Sequence, residues 1–123
     1  MNARIEHIAL WTDDLERSRR FYVEHLGGRA SALYRNDTTG FESYFLDFGG
    51  GARLELMRLP ARPRSEGHGH VAFSVGSEAA VDAKTEELRA AGFEVAGEPR
   101  RTGDGYYESV IVDPDGNCVE LTV

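Results

Sequence analysis

The sequence has one cysteine, Cys118, so no disulfide can form within the chain, in keeping with a reducing compartment. It also has no apolar run long enough for a signal peptide or a membrane span, because MNARIEHIAL reaches Glu6 and His7 before one can build. We therefore expect a cytoplasmic protein with no membrane partner. An excess of basic charge is missing as well: 14 Lys and Arg stand against 21 Asp and Glu, for a net charge of −7. Nothing gathers the basic residues into a stripe, so nucleic acid is excluded as a partner. No phosphate-binding glycine loop, Ser/His/Asp signature or C-x-x-C occurs. Small molecules are the expected partners.

What the sequence does have is a repeat. IEHIAL at residues 5–10 recurs as HGHVAF at residues 68–73, and LEL at residues 54–56 recurs as VEL at residues 119–121. Each copy supplies one His near its start and one Glu near its end. The histidines, His7 and His70, lie 63 positions apart and the glutamates, Glu55 and Glu120, lie 65 apart, so a two-residue insertion separates the copies. A repeat of this kind predicts pseudo-two-fold symmetry. With 123 residues, 41% of them hydrophobic, the chain is expected to form a single domain over 1–123, from repeats 1–59 and 68–123 joined by linker 60–67.

Periodicity places the motifs. Ile5 to Trp11 alternates as a strand does, with Ile8 and Leu10 on one face and His7, Ala9 and Trp11 on the other. Asp13 and Glu16 form a D-x-x-E helix start, and helical spacing through Leu15, Ser18, Tyr22 and Leu26 predicts a helix from Asp14 to Leu26, stopped by Gly27-Gly28. Strands are predicted over Arg29 to Arg35, Phe41 to Phe48 and Arg53 to Leu59. The second half repeats this βαβββ order: a strand from His68 to Val75, Ser77 as cap of a helix from Glu78 to Ala91, then strands from Glu94 to Pro99, Tyr106 to Val112 and Asn117 to Val123. The linker PARPRSEG is stiffened by two prolines, and its eight residues span up to roughly 25 Å. That length allows the halves to pair within one chain or to exchange between two.

In the last strand of each half, alternation sets Glu55 against Leu54 and Leu56, and Glu120 against Val119 and Leu121. His70 likewise opposes Val71 and Phe73. All four candidates are thus expected on the side of their sheets away from the helices. Two carboxylates in a sheltered cavity repel each other and lose hydration, and a divalent cation offsets both costs. Two carboxylates and two imidazoles balance its charge and, at six-coordination, leave two positions for water or substrate. Ni, Co, Zn, Mn and Fe(II) all accept such a set. The plainer alternative is a pair of Glu–His ion pairs, or exposed residues at strand ends.

Lesser candidates are Trp11, Tyr44, Tyr106 and Tyr107 as pocket walls, with Arg53 on Glu55's face to bind an anionic substrate; ordinary rim or core packing is the alternative for each. Cys118 shares Glu120's face. His25, at a helix end, and His68 are read as solvated.

The HIAL, LEL, GHVAF and DPDGNCVEL segments, in paired βαβββ order, resemble the vicinal oxygen chelate superfamily, which includes glyoxalase I, fosfomycin-resistance enzymes, extradiol dioxygenases and bleomycin-resistance proteins. The resemblance covers essentially the whole chain. It implies an α+β fold of two βαβββ modules forming an open eight-stranded cavity around a metal, often in a homodimer. The set His7, Glu55, His70 and Glu120 is most similar to the four ligands of glyoxalase I, whereas fosfomycin-resistance enzymes and dioxygenases generally use two His and one Glu. That likeness implies a divalent-metal-dependent lyase or isomerase acting on a small metabolite with adjacent oxygens. The metal would acidify a C–H next to a carbonyl and a glutamate would move the proton, with Glu120 as the expected base and Glu55 its close rival. A bleomycin-resistance-like binding protein and a metal-dependent dioxygenase are the alternative readings. Two positions depart from bacterial glyoxalase I: Trp11 stands where that enzyme has an Arg that helps hold glutathione, and Leu59 where it has an Asn. PARPRSEG also replaces a helical insertion, and these departures weigh against glutathione recognition without deciding it.

Overall fold

A computed structural model describes residue 2 and residues 5–62, 70–103 and 105–123. His68 and most of the linker lie outside the described residues. The chain divides into two compact units, residues 1–65 and 66–123, each with its own sheet and helix.

The first unit runs β1 (His7–Trp11), α1 (Leu15–Glu24), β2 (Arg29–Ala30), β3 (Tyr34–Arg35), β4 (Glu42–Asp47) and β5 (Arg53–Arg58). Its sheet has the order β1-β5-β4-β2, with β3 also paired to β4. β1 lies parallel to β5 and the remaining pairs are antiparallel. The helix begins one residue later than D-x-x-E predicts. Asp14, not Asp13, caps it, accepting from Arg17 N–H at 3.0 Å. The Thr12 hydroxyl fixes that choice by accepting from Asp14 N–H at 3.1 Å and donating to the Asp14 carbonyl at 3.0 Å. Gly27, at φ +76°, stops the helix in a left-handed conformation that any side chain would strain.

The strand expected from Arg29 to Arg35 is divided, so the described residues hold nine strands and not eight. Ser31 causes the break. Its N–H donates to the Phe45 carbonyl at 2.8 Å, but its hydroxyl, not a backbone carbonyl, accepts from Phe45 N–H at 3.0 Å. The side chain thus takes the place of one ladder bond, and β2 and β3 are the two ends of a single interrupted strand.

The second unit repeats the plan as β6 (His70–Ser74), α2 (Glu78–Ala90), β7 (Val95–Arg101), β8 (Tyr107–Val112) and β9 (Cys118–Thr122), in the sheet order β6-β9-β8-β7. Ser77 caps α2 as expected, accepting from Ala80 N–H at 3.1 Å. Counting the interrupted strand once, both units are βαβββ modules, and the fold is α+β.

Each helix covers one face of its own sheet. α1 buries Leu15, Phe21 and Tyr22 in a core with Leu46, Leu54 and Leu56; α2 buries Val81 and Leu88 in one with Ile111, Val119 and Leu121. Full burial of side chains this size contributes about 1.5–3 kcal/mol each, so the alternation of β5 and β9 is held firmly in register. None of the described helices is long and apolar enough to cross a membrane.

Candidate functional site: a His–Glu pair in each module

Sheet register assigns the faces. Tyr44 of β4 pairs with Leu56, and its hydroxyl donates to Glu16 of α1 at 2.5 Å, so Leu54, Leu56 and Tyr44 face the helix. Glu55, which pairs with Ala9 on one side and Phe45 on the other, therefore faces away from it. His7, Ala9 and Trp11 share that face. In the second module Ser109 pairs with Leu121 and shares a 2.7 Å hydrogen bond with Thr85 of α2, which puts Glu120, Ala72 and His70 on the face away from α2.

On these faces each glutamate stands near its own histidine. His7 Nε2 is 3.9 Å from Glu55 Oε1, and His70 Nε2 is 3.3 Å from Glu120 Oε2. The glutamate side chains are only 15% and 17% exposed while the imidazoles are 43% and 54% exposed, so sheltered carboxylates sit beside open rings. In both modules the small partner across from the glutamate is alanine, Ala9 or Ala72, which leaves room over the carboxylate.

Nitrogen and oxygen donors about 2.1 Å from one ion stand roughly 3.0 Å apart when adjacent and roughly 4.2 Å apart when opposite. The His70–Glu120 separation of 3.3 Å lies near the adjacent spacing and the His7–Glu55 separation of 3.9 Å lies between the two, and imidazole with carboxylate is a donor set suited to Ni, Co, Zn, Mn or Fe(II). The residues present therefore fit a divalent cation. Among the described residues no group of three or more His, Cys, Asp or Glu side chains is gathered as ligands.

The remaining candidates separate. Trp11 shares the face of His7, with the Phe41 ring edge-on at 6.5 Å and the Arg62 guanidinium stacked on it at 4.5 Å. Arg53 keeps to Glu55's face, but its guanidinium is engaged by Glu6 and lies 4.4 Å over the Phe45 ring, so an anionic substrate would have to displace Glu6. Tyr44 is a correction: its bond to Glu16 carries it to the helix side, with the sheet between it and Glu55. Tyr107 likewise turns to α2 and donates to Asp82 at 2.5 Å. Tyr106 is exposed at the β7–β8 turn, where its backbone bonds to Thr102. Cys118 is half-buried and in register with His70.

Sequence reasoning missed Glu6, whose Oε2 lies 2.7 Å from His7 Nδ1. The Arg53 guanidinium, and after it the His7 imidazole, hold the Glu6 carboxyl below its usual range. Glu6 precedes β1, so strand alternation, which would have sent it to the opposite face, does not apply. Phe45, edge-on to His7 at 5.2 Å, was missed too. Beside this end of the sheet a cleft of about 790 Å³ opens between Glu6, Arg29, Asp47, Arg53 and the glycines at 49–51.

The family model described as the Glyoxalase/Bleomycin resistance protein/Dioxygenase superfamily matches residues 4–121. The chain belongs to this superfamily. Among superfamily relatives, the chain is 34% identical to "Uncharacterized protein YwkD" of Bacillus subtilis (strain 168), over 95% of this chain and 94% of that one. It is 32% identical to the "Probable lactoylglutathione lyase" of Vibrio cholerae, over 98% and 90% of the two chains. Among solved structures, the trypanothione-dependent glyoxalase I of Leishmania major superposes with a TM-score of 0.80 at 26% identity, covering 98% of this chain and 86% of the other. Glyoxalase I-like proteins are thus among the structural neighbours of this superfamily member.

Proposed function

We propose that the chain is a divalent-metal-dependent, glyoxalase-like lyase or isomerase acting on a small metabolite that carries adjacent oxygens. The observation that supports this most is the recurrence of the His–Glu pair at the same register position in both modules, sheltered carboxylate against open imidazole each time. One accidental ion pair needs no explanation; the same pair twice, each opposite an alanine, is a designed feature of the repeat. The relationship to a probable lactoylglutathione lyase adds weight.

In this reading His7, Glu55, His70 and Glu120 hold one ion, supplied by one chain or by a homodimer. The bound ion would stabilise the negative charge that develops on substrate oxygen when a neighbouring C–H loses its proton. Glu120 takes that proton and returns it to the adjacent carbon, so that no redox partner is needed and the net change is an isomerisation. Glu55 is its symmetry-related counterpart. Ala9 and Ala72 leave the space that a substrate occupies, and Trp11 and Phe41 border the first module's face with apolar surface.

Metal analysis of protein purified without chelator tests the proposal. About one ion per site is expected. Less than about 0.2 ion per chain, with no gain on reconstitution with Ni, Co, Zn, Mn or Fe(II), would sink it.

A further inference from the structure

His7 and His70 occupy equivalent positions in the repeat but have different neighbours. His7 Nδ1 lies 2.7 Å from Glu6 Oε2. Glu6 is in turn fixed to the first residue of β5 twice, by the Arg53 guanidinium through its side chain and by Arg53 N–H through its carbonyl at 2.8 Å. The Phe45 ring, edge-on to His7 and beneath the Arg53 guanidinium, packs against both. In the second repeat the residue before the histidine is Gly69, and the residue in register with His70 is Cys118. Neither the carboxylate nor the arginine has a counterpart there.

A neutral imidazole carries its proton on one nitrogen and offers a lone pair on the other, and only the lone pair binds a metal. A carboxylate only accepts hydrogen bonds. With Glu6 on Nδ1, the proton belongs on Nδ1, and Nε2, the nitrogen on the Glu55 side, keeps its lone pair. A carboxylate behind a histidine also raises the basicity of the donating nitrogen.

We propose that Glu6, held by Arg53, is a positioning residue that fixes His7 in the Nδ1–H tautomer so that Nε2 is its metal donor, a device not repeated at the equivalent positions, Gly69 and Cys118, of the second repeat. This rests on the metal-dependent reading given above.

Two measurements separate the inferences. In the metal-free protein with ¹⁵N-labelled histidine, long-range ¹H–¹⁵N spectra should show His7 as the Nδ1–H tautomer. Glu6→Ala should shift it toward the Nε2–H form and leave the His70 signals in place. In a chelator competition with Zn²⁺, Glu6→Ala should weaken affinity by about 10–100-fold. Glu6→Gln, which keeps an accepting oxygen without the charge, should retain the tautomer and lose less. Arg53→Met, which removes the guanidinium but keeps the backbone bond to the Glu6 carbonyl, should fall between the wild type and Glu6→Ala. A wild-type His7 in the Nε2–H form, or a Glu6→Ala affinity within twofold of wild type, overturns the proposal. A wild-type protein that binds no metal sinks the metal-dependent reading instead, while the tautomer measurement still decides what Glu6 does to His7.

Discussion

Tyr44 and Glu16 share a hydrogen bond of 2.5 Å that ties the middle of β4 to the first turn of α1. This bond lies on the helix side of the first sheet: Tyr44 pairs with Leu56 and shares its face and that of Leu54, and Glu55 lies on the other side. Its electrostatics work from both ends. The Tyr44 hydroxyl draws the Glu16 carboxyl below its usual range, and Glu16 raises the Tyr44 phenol above its own.

Tyr44→Phe should therefore cost about 0.5–1 kcal/mol, with a definite pH dependence. Glu16, with its depressed value, contributes stability above the ordinary carboxylate range and loses it as pH falls through the depressed one. Tyr44, with its raised value, contributes below the ordinary phenol range and loses it as pH climbs through the raised one. The gap between wild type and variant in urea unfolding should be widest around neutrality and narrow toward both extremes. A gap that is flat from acid to alkali would show that the bond is not made in solution.

In the second module the equivalent tie is neutral and fully buried. The Thr85 hydroxyl donates to the Val81 carbonyl at 2.6 Å, so Ser109 must be the donor in the 2.7 Å bond between the two hydroxyls. Thr85→Val strands the Ser109 hydroxyl without an acceptor and should cost about 1–3 kcal/mol. Adding Ser109→Ala removes the stranded group, and the double variant should recover much of the loss in the same unfolding assay. Additive losses would contradict this.

Under the proposed function, Glu120→Gln is expected to lower kcat by at least about 100-fold, the scale of a lost general base, on any substrate found, with a hemithioacetal panel as the first assay. Glu55→Gln should reduce metal affinity more than it reduces the rate of the metal-loaded protein. Equal activity of Glu120→Gln and wild type would transfer the base to Glu55.

Trp11 is the sole tryptophan, and it lies on the face of His7 with Arg62 stacked against it. A substrate entering over that face should change its emission. Arg62→Gln should shift the emission of the free protein by removing the stacked cation, a contact worth about 0.5–1 kcal/mol at an exposed site. Emission that ignores both saturating substrate and the variant would place the ligand elsewhere.

Much of the fold and of the candidate site is legible in the sequence because burial acts on alternate residues. Leu54 and Leu56 around Glu55, and Val119 and Leu121 around Glu120, leave the glutamates one face to occupy, and both modules adopt it. Legibility ends where a side chain substitutes for a rule about backbone. Ser31 replaces a ladder bond, which no periodicity announces. Thr12 moves the helix cap from Asp13 to Asp14, two residues that read alike. Tyr44, apolar in its ring and polar at its tip, suits either face of a sheet by residue type, and its pairing with Leu56 and its bond to Glu16 put it on the helix side. Glu6 lies outside the strand whose alternation would have placed it.

The interruption at Ser31 reaches beyond local geometry. A long, regular border strand is a template on which a foreign chain can add itself, hydrogen bond by hydrogen bond. Opposite β1, the first sheet ends in two pieces of two residues each, too short to recruit a newcomer. The second sheet ends in β7, which is longer but carries Pro99, with no N–H to offer, and shifts register twice against β8. The two modules thus guard the β2/β3 edge and the β7 edge against aggregation by different means.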